Sequence, residues 1–278
     1  MNAEQVKGKV KSIAQKTKVD HQSILQSFFL ERLLERISVS QYKENFILKG
    51  GLLIASIIGI SSRSTMDIDT TIKAYPVNQE DITKLLTEVL SIDLQDDVSF
   101  EIQSIKTIRE EDDYEGYRAI VKATFGKIEQ HVKVDVSTGD VITPSEINYT
   151  YKSIFEDKNY NVMAYNLETI LAEKIETVIR RGEATTRMRD YYDIHILKAM
   201  QQDNINKDLL IDALENTSRR RGSDDLLEMA FDVIEIIETS DTIKKLWGNY
   251  RKKYHYASEI EFNEIIDSIK WIAEYSIA

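Results

Sequence analysis

Residues 66–72, Met-Asp-Ile-Asp-Thr-Thr-Ile, alternate with a period of two. Such a run reads as a strand with Met66, Ile68, Thr70 and Ile72 on one face and Asp67, Asp69 and Thr71 on the other. Two carboxylates side by side on one face repel each other, and a fold usually retains such a pair because a cation sits between them. All-oxygen, carboxylate-based ligation suits Mg²⁺ or Mn²⁺, with phosphate oxygens filling the remaining positions. Just upstream, Gly50-Gly51 opens an apolar run that ends at Arg63. Glycine lets a backbone approach phosphate closely, and a helix starting there favours an anion. The same residues also fit a plain turn followed by a solvated strand edge. The glycine pair ahead of the strand, with Arg63 and Thr65 alongside, favours the metal-and-phosphate reading.

Three later motifs offer partners for these carboxylates. In His131-Val-Lys-Val-Asp135-Val, the valines share one face and His131, Lys133 and Asp135 the other. A neighbouring strand would bring Asp135 beside Asp67 and Asp69, a set suited to metal-assisted phosphoryl or nucleotidyl transfer. An exposed strand face explains Asp135 equally well. Lys174 falls inside the apolar stripe of Leu167, Ile170, Leu171, Ile175, Val178 and Ile179 when these are set at helical spacing. A lysine there either snorkels to water or reaches an anion in a pocket. In 187–197, Arg-Met-Arg-Asp-Tyr-Tyr-Asp-Ile-His-Ile-Leu, Asp190, Asp193 and Leu197 share a helical face with Arg187 and Arg189 close by. A surface helix with local ion pairs fits this motif as well. His21, His131, His195 and His255 share no ligand spacing, and Tyr191, Tyr192, Trp247 and Trp271 read as core or rim residues.

The chain has no cysteine, which excludes disulfides, thiolate zinc sites and a cysteine nucleophile. The first residues lack the apolar core of a signal peptide, and the longest apolar run, 52–60, is too short to span a bilayer. A cytoplasmic protein with no membrane association is expected, and a monomer. The net charge of −11 argues against broad nucleic-acid affinity, since phosphate contacts need Lys and Arg. Local basic clusters remain: Arg180-Arg181 with Arg187 and Arg189, Arg219-Arg220-Arg221, and Lys244 to Lys253. These permit a narrow RNA contact, placed at Arg187, Arg189, Arg219, Arg220 and Arg221.

Helices are expected over 3–17, 21–38, 50–60 and 79–92, with Asp20 as a cap, and strands over 66–72, 98–108, 117–126 and 129–139. An acidic turn is expected at 110–116. This is an α/β sandwich on a mixed sheet. After Pro144 the pattern turns helical, with an extended piece at 160–165 and helices near 166–181, 187–201, 206–217, 223–238, 240–253 and 259–275. The expected division is 1–160 and 161–278.

Taken in order, LKGG (48–51), RSTMDID (63–69), AEKIETVIRR (172–181) and RMRDYYDIHIL (187–197) resemble the motifs of the AbiEii/AbiGii toxin family of nucleotidyltransferase-like proteins. The resemblance implies an α+β fold: a DNA polymerase β-like nucleotidyltransferase domain followed by a helical C-terminal domain. It implies a toxin of a type IV toxin–antitoxin, abortive-infection system, with a cognate antitoxin acting indirectly or at the gene level. Related toxins transfer a nucleotide from an NTP, some of them to the 3′ end of tRNA. Carried over by motif, Asp67 and Asp69 bind the metal and triphosphate. Gly50, Gly51, Arg63 and Thr65 contact phosphate, Lys174 neutralises its charge, and Asp190 is the acid of the last motif. Two features depart from the wider polymerase β superfamily or from the family motif. The pair is Gly-Gly, far ahead of Asp67, and Arg189 stands where the motif has lysine. A nucleotide- or partner-binding module without transferase activity, and an acidic interaction protein, are the alternatives.

Overall fold

The structure, a computed structural model, describes residues 1–75, 78–109 and 115–277. The expected acidic turn at 110–116 falls largely outside the described residues. The chain divides into two compact units, Met1–Asp140 with Glu146–Ala164, and Val141–Ser145 with Tyr165–Ala278.

The first unit begins with helices α1 (Ala3–Thr17) and α2 (His21–Val39). Asp20 caps α2, accepting a hydrogen bond from the Ser23 amide at 2.8 Å. Next come strand β1 (Phe46–Lys49), helix α3 (Gly50–Ile58), β2 (Asp67–Ile72) and α4 (Gln79–Leu90). Five strands complete the unit: β3 (Val98–Arg109), β4 (Glu115–Phe125), β5 (Ile128–Thr138), β6 (Ile147–Lys152) and β7 (Asn159–Ala164). Among the described residues, the strands of this unit form one mixed sheet of seven in the order β3-β4-β5-β2-β1-β7-β6. Strand β2 runs antiparallel to β1 and parallel to β5.

Strand β1 was not expected as a strand. Its residues Phe46, Ile47 and Leu48 are all buried, so a central strand leaves no polar–apolar alternation to read. Helix α3 ends at Ile58 rather than residue 60, because Gly59 takes φ +91°. Helix α2 packs across β5 and β7 and is buried around most of its circumference. Its buried Gln26, Glu31, Arg32 and Arg36 side chains each make at least one hydrogen bond. Gln26 donates to the carbonyls of Met66 (2.7 Å) and His131 (3.1 Å), fixing the entry of β2 and the start of β5.

The second unit is helical: α5 (Leu167–Arg181), α6 (Met188–Gln201), α7 (Lys207–Arg221), α8 (Asp224–Leu227), α9 (Ala230–Thr239), α10 (Asp241–Lys253) and α11 (Phe262–Ser276). The single helix expected over 223–238 is two pieces, α8 and α9. Helix α5 packs on α6 and α7, and α11 on α6, α7 and α9. Tyr191, Tyr192 and Trp247 lie in this core.

Candidate active site

The glycine pair is held in place by the second carboxylate. Gly50 has φ +65°, and a Cβ there would sit 2.1 Å from Asp69 Oδ2. Both the dihedral and the space therefore require glycine. The Gly51 amide, in the first turn of α3, donates to the same oxygen at 3.3 Å. A Cβ on Gly51 would lie 2.7 Å from Thr65 Oγ1 and 3.2 Å from an Arg63 guanidinium nitrogen. Thr65 donates to Asp67 Oδ1 at 2.7 Å, and Arg63 to the Ser64 carbonyl at 2.5 Å. Both side chains are buried. As placed, Arg63 and Thr65 brace the glycine pair and Asp67 rather than standing in solvent.

The parallel pairing of β2 with β5 sets Asp69 directly opposite Asp135. Carboxylate oxygens of Asp67, Asp69 and Asp135 all lie within 4.8 Å of one another. Asp135 is buried, although His131 and Lys133 on the same strand face are exposed, so the exposed-face reading fails at Asp135 alone. Burial first, and then the charges of Asp67 and Asp135, push the Asp69 pKa up to about 6, with Lys49 opposing. Lys49 stands opposite Asp69 across the β1–β2 pair, and its ammonium reaches Asp140 at 2.7 Å. Asp140 also accepts from Ser137 Oγ at 2.6 Å.

These residues fit a divalent cation. The donors are all carboxylate oxygens. Two oxygens on opposite sides of one Mg²⁺ stand about 4.2 Å apart, so small side-chain movements close the triad around one ion. A cation among the three carboxylates would offset the repulsion that Asp67 and Asp135 exert on Asp69.

Sequence reasoning missed Arg118. It faces Asp135 across the β4–β5 pair and grips both carboxylate oxygens, Nε at 2.7 Å and an Nη at 2.6 Å. The alternation of Tyr117, Ala119 and Val121 already set Arg118 on the face opposite a buried row, but only the strand register names its partner.

In the second unit, Lys174 does not snorkel away. Its ammonium lies 2.5 Å from Asp190 and 2.9 Å from Asp193. Arg187 contacts the other Asp190 oxygen at 2.6 Å. Asp190 and Asp193 are almost fully buried, which overturns the surface-helix alternative. Burial alone would raise the Asp190 pKa, but Lys174 and Arg187 outweigh it and hold it at about 2. Arg189 turns to Tyr254, 3.3 Å from its hydroxyl.

The three consecutive arginines differ. Arg219 and Arg220 are exposed. Arg221 reaches inward to Glu176 (2.5 Å) and the Thr177 hydroxyl (3.2 Å), tying α7 to α5. Arg221 therefore has a structural partnership that its neighbours' exposure does not imply.

A family model described as nucleotidyl transferase AbiEii toxin, type IV TA system, matches residues 32–272. No curated protein matches the chain. Among solved structures, MenT4, a nucleotidyltransferase toxin from Mycobacterium tuberculosis H37Rv, is similar with a TM-score of 0.57 at 13% identity, over 95% of this chain and 98% of that one. A candidate nucleotidyltransferase from H. pylori is similar with a TM-score of 0.51 at 17% identity, over 92% of this chain and 96% of that one. At such identities the likeness concerns the fold: an α+β nucleotidyltransferase domain with a mixed sheet, followed by a helical region.

Proposed function

This chain belongs to the AbiEii nucleotidyl transferase toxin family of type IV toxin–antitoxin systems, and from that premise we propose that it transfers a nucleotide from an NTP to the 3′ end of an RNA, with tRNA the first acceptor to test. The observation that carries this reading is the Asp67–Asp69–Asp135 triad, whose oxygens converge within 4.8 Å. Asp67, Asp69 and Asp135 would hold a Mg²⁺ or Mn²⁺ ion, which would supply positive charge toward the triphosphate and its pyrophosphate leaving group.

The chain's own residues have separable tasks. The Gly51 amide and the Lys49 side chain, opposite Asp69, orient and partly neutralise that carboxylate. Thr65 holds Asp67 in one rotamer. Gly50, with no side chain, lets the Asp69 carboxylate pack against its backbone, and the adjoining start of α3 is proposed as the place where phosphate is met. Asp135 is the carboxylate proposed to accept the proton of an acceptor hydroxyl. Lys174 is proposed to counter phosphate charge, with Asp190 and Asp193 fixing its ammonium. Arg187, Arg189, Arg219 and Arg220 are proposed to contact RNA phosphates, and Arg221 to support them through its hold on α5.

The proposed setting is an abortive-infection system in the cytoplasm, with a monomeric toxin and an antitoxin acting indirectly or at the gene level. Among the described residues, no helix is long and apolar enough to cross a membrane.

The test incubates the protein with each labelled NTP, Mg²⁺ and total RNA. Label in one RNA band, lost in Asp67→Asn, is the expected result. NTP binding by calorimetry with no label in any RNA overturns the transferase reading in favour of a binding module.

A further inference from the structure

Arg118 stands beside the carboxylate triad. Asp135 is flanked in register by Asp69 on β2 and Arg118 on β4. Its two oxygens, which the triad reading offers to a divalent ion, each accept a bond from the guanidinium, at 2.7 and 2.6 Å. The fork-to-fork arrangement is the strongest geometry an arginine and a carboxylate can adopt. Asp67 and Asp69 also act on this guanidinium, so its charge serves the whole cluster.

The two partners are unequal. The Asp135 side chain retains 12% of its surface and that of Arg118 42%. A carboxylate so covered needs a cation beside it, whereas a guanidinium with access to water loses little on letting go. A divalent ion among the three carboxylates would stand close to the guanidinium and repel it with twice the force of a single charge.

We propose that Arg118 is a built-in counter-ion that competes with the divalent cation for Asp135, occupying the third carboxylate until the cation displaces it. The inference rests on the metal reading of the triad and adds to it a residue that sets how tightly the ion is held. Removing the competitor strengthens cation binding. Removing a mere positioning residue weakens it, because Asp135 loses its orientation. The two roles therefore predict opposite signs.

The experiment titrates MnCl₂ into metal-free protein by calorimetry at constant ionic strength, comparing wild type with Arg118→Ala, Arg118→Gln and Arg118→Lys. Circular dichroism verifies the fold. The two neutral variants are expected to bind Mn²⁺ roughly three- to tenfold tighter, and Arg118→Lys, which keeps the charge without the fork, to lie between them and wild type. In chelator, the neutral variants should melt below wild type and gain more from added Mn²⁺. Neutral variants that fold and bind Mn²⁺ as wild type does, or more weakly, overturn the competition. No Mn²⁺ binding by any of the proteins removes the metal reading of the triad, and this inference with it.

Discussion

Gly50 and Asp69 are locked together: the Cβ of any other residue at 50 would fall 2.1 Å from the Asp69 carboxylate oxygen. Because Gly50 also has φ +65°, two independent penalties act at one position. Gly50→Ala is expected to lose about 2–4 kcal/mol of stability through left-handed strain and displacement of Asp69. Gly51→Ala should lose less, since its nearest neighbour is the Thr65 side chain and its φ is not positive. Thermal melts of the two variants, with Mn²⁺ titrations, check this order.

Asp69 is predicted to trade stability for function. Its pKa is pushed up to about 6 by burial and by Asp67 and Asp135. Its charge therefore destabilises the metal-free fold above that pH. Asp69→Asn keeps an oxygen able to accept from the Gly51 amide and removes the repulsion. In chelator at pH 7.5 this variant should melt higher than wild type. It should also lose the stabilisation that Mn²⁺ confers on wild type, and any nucleotide transfer.

Lys174→Ala leaves two buried carboxylates without their shared ammonium. Loss of one partner from a buried ion cluster costs about 3–5 kcal/mol. Reduced toxicity in this variant is therefore uninformative unless its melting temperature is measured alongside. Lys174→Arg, which keeps the charge, should recover most of the stability while altering the position of the cation.

The arginine run on α7 should separate by exposure. Arg219→Ala with Arg220→Ala is expected to weaken RNA binding and flatten its salt dependence, with a stability change within about 0.5 kcal/mol. Arg221→Ala should lower the melting temperature, because it strips buried Glu176 of a partner at 2.5 Å. Electrophoretic mobility shifts and melts on the same preparations distinguish the two effects.

Glu31 carries a pH dependence of its own. Burial pushes its pKa up to about 7, against the bonds it accepts from Ser153, the Ile154 amide and Tyr151. The fold thus favours the protonated acid. That contribution is complete below about pH 4.5 and is lost as pH rises through about 7. Wild type should melt lower at pH 8 than at pH 5.5. Glu31→Gln should show a smaller fall, and Asp69→Asn controls for the other raised carboxylate.

Much of the chemistry was legible residue by residue. Alternation across 66–72 placed Asp67 and Asp69 on one face, and alternation across 131–136 did the same for Asp135. Both depend only on the two-residue repeat of a strand, which each segment carries locally. Helical spacing likewise revealed Lys174 as a charge inside an apolar stripe, and the face shared by Asp190 and Asp193. Central strand β1 was hidden because burial on both sides erases alternation. Arg118 was hidden because an arginine on a strand face has no identifiable partner until the neighbouring strand is known.

By itself, then, the sequence determined which residue types share each face and which four motifs follow one another, since backbone periodicity is a local property. Tertiary structure alone decided that β2 lies between β1 and β5, with Asp69 opposite Asp135 and Lys49. It also decided that Arg118 completes the row and that Lys174 is clasped by two buried acids. Those outcomes depend on strand register and helix packing between segments far apart in the chain. There, the burial of distant apolar faces selects the partner for each charge.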